Sequence, residues 1–117
     1  MVEQQPIDPQ APRSWAFITN HGHVLLAVAR TPDATVAQLA DAAEITERSA
    51  YRILADLQRA GYVRRRKFGR HNVYEINPTL PLRDPTVENE CVRDLLSLVA
   101  DPDTEGHLLP TVYLARR

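Results

Sequence analysis

Between Thr46 and His71 the chain carries eight basic side chains (Arg48, Arg52, Arg59, Arg64, Arg65, Arg66, Lys67 and Arg70) against only Glu47 and Asp56, a local balance of +6. The surrounding sequence leans the other way. Residues 1–45 sum to −3, residues 72–117 to −4, and the whole chain to −1. Gathering positive charge into one stretch of a mildly acidic chain is the electrostatic footprint expected for a polyanion partner. Most charge runs are only solvated faces. This one coincides with a helix and a hairpin that a nucleic acid would touch, which favours the sharper reading.

The elements that position these charges can be read from caps and periodicity. Thr35-Val-Ala-Gln38 opens a helix as a capping box, with Leu39 and Ala43 on its apolar face and a turn at Glu44-Ile45. Thr46 caps a second helix that stops at Gly61, the residue type favoured just past a helix end. With Leu54 set toward the core, Ala50, Ile53 and Leu57 share or flank its side. Thr46, Glu47, Arg48, Ser49, Tyr51 and Arg52 are then left on a polar and basic surface at the positive end of the helix dipole. A β-hairpin follows, with strands at 62–67 and 72–76 and a turn at Phe68-Gly69-Arg70. Helix, turn, helix and hairpin make a winged helix-turn-helix. The expected class is α+β, mostly α, with a two-stranded β-hairpin wing and a C-terminal dimerisation helix.

The flanks complete the expected organisation. Residues 1–13 hold Pro6, Pro9 and Pro12 and read as a flexible arm, and the winged domain is assigned to 14–80. Thr19 or Asn20 caps a first helix from about His21 to Arg30, whose buried stripe is Val24, Leu25, Val28 and Ala29. The 15–18 segment fits either an extra helical turn or an extended segment. Thr31-Pro32-Asp33-Ala34 is a breaker. Asp84-Pro85 reads as the start of a helix within 81–100, because Val87, Cys91, Leu95 and Leu98 recur at three- and four-residue spacing over about three turns. Residues 101–117 form a tail with an apolar patch, Leu108, Leu109, Val112, Tyr113 and Leu114.

Several function classes find no support. No apolar run approaches the roughly 18 residues of a membrane span, and the N-terminus has no apolar signal core. A single cysteine, Cys91, suits a reducing cytoplasm and forms no intrachain disulfide. It reads as a small buried hydrophobe on the stripe of the last helix. Soft-metal sensing by thiolates needs two or three cysteines. His21 and His23 lie two residues apart, a spacing that does not converge on a helix, so no metal site is assigned. No nucleophile elbow, Gly-rich phosphate loop or buried carboxylate pair is present, and the chain reads as a non-enzyme without a cofactor. Asp41 and Glu44 read as solvated charge.

The stretch 35–76 resembles winged-helix transcriptional regulators of the MarR and ArsR kind. Leu39-Ala40-Asp41, Ile45-Thr46-Glu47-Arg48, Leu57 through Ala60-Gly61-Tyr62-Val63, and the basic hairpin ending Asn72-Val73-Tyr74 carry the resemblance. It extends back through Asn20-His21 and covers roughly residues 20–77, half the chain. It implies a homodimer on double-stranded DNA at a pseudo-palindromic operator, most simply as a repressor. The second motif helix would enter the major groove and the wing would follow the backbone or minor groove. On that basis Arg48, Ser49, Tyr51 and Arg52 read or position on the helix, with Arg52 the foremost groove contact. Arg64, Arg65, Arg66, Lys67, Arg70 and His71 lie on the wing. Strand alternation lets only about half of 64–67 touch DNA at once. Trp15, Phe17 and Ile18, with Val87, Cys91, Leu95 and Leu98, are the expected dimer interface. MarR-type proteins build an effector pocket from long flanking helices. This chain leaves little room for one, which favours a small ArsR-like dimer and leaves any effector unassigned. The alternative function is a winged helix that binds protein or RNA. Arginine on both the helix and the wing argues against protein, and the narrow major groove of RNA argues against helix insertion.

Overall fold

A computed structural model of the chain describes residues 15–99. Helices α1 (Asn20–Arg30), α2 (Val36–Ala43) and α3 (Glu47–Arg59) precede strands β1 (Val63–Phe68) and β2 (His71–Ile76), and a short α4 (Val92–Leu96) follows. Three threonines start the three long helices. The Thr19 hydroxyl accepts from Gly22 N–H, Thr35 from Gln38 N–H, and Thr46 from Ser49 N–H. Gln38 Oε1 in turn accepts from Thr35 N–H, which completes the capping box. Each cap satisfies an orphan donor of the first turn. The turn between α2 and α3 places Glu44 in the left-handed region at φ 59, and Gly61 at φ 89 ends α3 where a side chain would be strained.

The helices enclose one core. Leu39, Leu54, Ile76, Leu96, Val24, Val28 and Val92 are its largest fully buried side chains, each stabilising the fold by ~1.5–3 kcal/mol relative to exposure. The hairpin closes over this core at its base only: Val63, Tyr74 and Ile76 are buried while the rest of β1 is exposed. Tyr74 N–H donates to Pro32 O at 3.1 Å, pinning the wing to the loop between α1 and α2. Gly69 and Arg70 make a two-residue turn with Gly69 at φ 61, and Arg64 pairs with Glu75, Arg65 with Tyr74, and Lys67 with Asn72.

The C-terminal part departs from expectation. In place of a helix of about three turns there is a single 3-10 turn, Pro85–Val87, then an irregular segment, then α4 and a 3-10 extension, Ser97–Val99. Asp84 does cap its turn, accepting from Thr86 N–H at 2.9 Å. A second start intervenes. Asp94 Oδ2 accepts from Cys91 N–H at 2.9 Å, and Pro81 pairs with Cys91 in a β-bridge. These contacts fix Cys91 as the residue before α4, half-buried, and not a core member on a continuous stripe. The residues that seal α4 to the core are Val92 and Leu96. Residues 15–18 form no helix or strand, and the proposed arm 1–13 and tail 101–117 lie outside the described residues.

Candidate nucleic-acid interface

The start of α3 presents its side chains outward because Ala50, Ile53, Leu54 and Leu57 take the inward positions. Thr46, Glu47, Arg48, Tyr51 and Arg52 are exposed, and Ser49 is half-buried. The Thr46 hydroxyl both caps the helix and donates to Ser49 Oγ at 3.0 Å, so these two hydroxyls are occupied with each other. Arg48 and Arg52 stand one turn apart on the same face. Together with Glu47 they supply donors and an acceptor of the kind that read base edges.

The hairpin sorts its charges by strand alternation. Arg65 and Lys67 share a face with Val63 and, across the ladder, with Tyr74 and Asn72. Arg64, Arg66 and Phe68 share the other face with Glu75, Val73 and His71. On the first face Arg65 lies beside the Tyr74 hydroxyl. Burial pushes the Tyr74 hydroxyl above the usual tyrosine range, with the nearby guanidinium opposing. α3 packs against β1, which brings the helix and the base of the wing together. On the opposite face Glu75 Oε1 accepts from Arg64 Nε at 3.2 Å and Nη2 at 2.8 Å, and Oε2 accepts from Arg66 Nη1 at 3.1 Å. Arg66 also covers the Phe68 ring at 5.5 Å. Arg70 occupies the turn, and His71 opens β2, exposed.

Sequence reasoning passes over Glu75 and Tyr74 as functional residues. The signal is there to be read: a two-residue turn at Gly69-Arg70 sets the register, and that register faces Arg64 with Glu75. Arg59, part of the basic cluster, is also engaged. It reaches Asp56 at 3.2 Å, while His21 Nε2 lies 2.9 Å from the other Asp56 oxygen. The hydrogen bond from His21, then that from Arg59, holds the Asp56 carboxyl below the usual range.

The remaining sequence candidates lie elsewhere. Trp15 and Phe17 meet edge to face at 5.2 Å and are 70% and 93% exposed, so neither is a core aromatic of this chain. Leu95 packs at the edge of the core, whereas Val87 and Leu98 are exposed. At the far end of α3 an open groove of about 880 Å³ runs past Ile18, Leu25, Leu57, Leu82 and Leu95, with the His21–Asp56 pair at its rim. Among the described residues, no three His, Cys, Asp or Glu side chains converge as metal ligands, and no helix is long and apolar enough to cross a membrane.

Residues 18–71 match the sequence profile of the MarR family. Over that stretch the chain is similar to the MarR family. The match runs from just before α1 to the start of β2, and so takes in α3 and all of β1. The chain is also similar to two solved structures. One is ZitR of Lactococcus lactis, solved as a cysteine-to-serine mutant, at 14% identity over 91% of this chain and 65% of that one, with a TM-score of 0.46. The other is MepR, a transcription regulator of the Staphylococcus aureus multidrug efflux pump MepA, at 19% identity over 81% of this chain and 66% of that one, also with a TM-score of 0.46. The chain spans just under two thirds of the length of each. No curated protein shows a significant match.

Proposed function

We propose that this protein is a sequence-specific, double-stranded-DNA-binding transcription regulator, acting as a homodimeric repressor on a pseudo-palindrome. One observation carries the reading: in a winged helix similar to the MarR family, the exposed start of α3 and the wing bear Arg48, Arg52, Arg65, Lys67 and Arg70, which have no ion-pair partner among the described residues. In this reading α3 enters the major groove, where Arg48 and Arg52 read guanine edges and Glu47 a cytosine amino group. Arg65, Lys67 and Arg70 meet the backbone or the flanking minor groove, where arginine is favoured by the enhanced negative potential. Phosphate contacts supply most of the affinity, and the start of α3 supplies the choice of sequence. The second copy docks through Trp15, Phe17 and Ile18 together with the 87–98 segment, in keeping with the exposed rings of Trp15 and Phe17 and the 67%-exposed Leu98.

The test is fluorescence anisotropy of labelled duplexes drawn from the region upstream of the protein's own gene, titrated at several salt concentrations. Tight binding whose logarithm falls linearly with log salt is expected. Absence of binding at low salt by folded protein would overturn the reading.

A further inference from the structure

We infer that Glu75 is a positioning residue that withholds Arg64 and Arg66 from DNA and so sets the working charge of the wing. The inference rests on the DNA-binding reading and deepens it. Glu75 is the only carboxylate between Tyr62 and Asn77, set against five basic side chains. Its side chain is only 11% exposed, and both of its oxygens are taken, Oε1 by Arg64 through two nitrogens and Oε2 by Arg66. A phosphate that recruited either guanidinium would leave a nearly buried carboxylate short of partners, which is costly. Arg66 has a second tie in the Phe68 ring. Both arginines therefore stay on Glu75 when DNA arrives, and the phosphate contacts come from the other face, through Arg65 and Lys67, and from Arg70 at the tip.

The arrangement has a consequence for selectivity. Phosphate contacts are blind to sequence, so each arginine held back lowers affinity for every duplex alike and leaves a larger share of the binding to α3. Glu75→Gln keeps the shape and removes the charge that holds two cations. The expected result is a gain: tighter binding to operator and random duplex alike, a salt slope steeper by about 0.9 for each phosphate recruited, and a smaller ratio between the two duplexes. A residue that merely braced the hairpin would yield a loss on substitution.

The experiment measures duplex binding by full-length wild type, Glu75→Gln, and the double variant Arg64→Gln/Arg66→Gln across a salt series, with far-ultraviolet circular dichroism as the check on folding. A steeper slope in Glu75→Gln, with the double variant unchanged from wild type, supports the assignment. An unchanged or shallower slope in folded Glu75→Gln overturns it while leaving the DNA-binding reading intact. Should Glu75→Gln fail to fold, the double variant decides: a slope reduced by about two contacts per protomer places both arginines on phosphate and overturns the assignment. Wild type that binds no duplex at low salt overturns the functional reading itself, and this inference with it.

Discussion

Removing Arg65 and Lys67 together is the most direct perturbation of the surface assigned to DNA. Of the eight basic side chains in 46–71, Arg59 is paired with Asp56, and Arg64 and Arg66 with Glu75, which leaves Arg48, Arg52, Arg65, Lys67 and Arg70. With Arg48 and Arg52 on base edges, Arg65, Lys67 and Arg70 give three phosphate contacts per protomer, six per dimer, and a salt slope of magnitude ~5.4 at about 0.9 per phosphate. Arg65→Ala/Lys67→Ala deletes two contacts per protomer, four per dimer, and the slope should shrink by ~3.6. Between 50 and 200 mM salt, the variant should then lose roughly a hundredfold less affinity than wild type loses over the same interval. The loss at low salt should be the same on operator and random duplex, because neither residue reads a base. Arg65 also lies beside Tyr74, so Lys67→Ala alone, near the wing tip, serves as the control free of any packing effect and should account for about half of the slope change. Anisotropy titrations of labelled duplexes across the salt series measure all of these. A slope unchanged in the double variant would refute the assignment of this face to the backbone.

Three further outcomes are expected. Arg52→Ala should cost ~1–3 kcal/mol on the operator and much less on random duplex, and equal losses on both would remove it from the groove. The wild type should sediment as a dimer at micromolar concentration, and Trp15→Ala/Phe17→Ala should shift it toward monomer; a wild-type monomer would sink the proposed interface. Asp84 has its carboxyl lowered by hydrogen bonds from the Thr86 hydroxyl and then the Thr86 N–H. Its contribution is therefore present above the ordinary carboxylate range and lost as pH falls through the lower folded value. The urea midpoint of Asp84→Ala should accordingly lie below that of wild type at neutral pH, with the gap closing below about pH 4; a gap independent of pH would contradict the sign.

What the sequence disclosed was what local chemistry determines. Thr19, Thr35, Thr46 and Gly61 announce helix ends because a cap is a contact within three or four residues, and the inward stripes of α1 and α3 follow from the 3.6-residue period alone. The C-terminal helix was legible only in part. Spacings of three and four from Val87 to Leu98 fit one long helix, and they fit equally well a 3-10 turn followed by a shorter helix. The choice was made by Pro81 pairing with Cys91 and by Leu80 O and Pro78 O accepting from Val92 and Arg93 N–H, contacts across 10 to 15 residues that no local period encodes. Trp15 and Phe17 show a different limit. Their size marks them as residues to be covered, but not whether this chain or another covers them.

The basic cluster shows most sharply how geometry alters a reading that composition makes available. By charge alone, Arg64, Arg65 and Arg66 are equivalent. Strand alternation divides them, and the register fixed by Gly69 decides that the two outer arginines face a carboxylate while the middle one faces a tyrosine. A shift of one residue in that register would exchange the faces, setting Arg65 opposite Glu75 and freeing its neighbours. The wing's capacity to hold DNA thus depends less on how many arginines it carries than on a two-residue turn and one glutamate. Gly69 acts here by making the turn and Glu75 by occupying two cations, and neither would be picked out by its own affinity for phosphate.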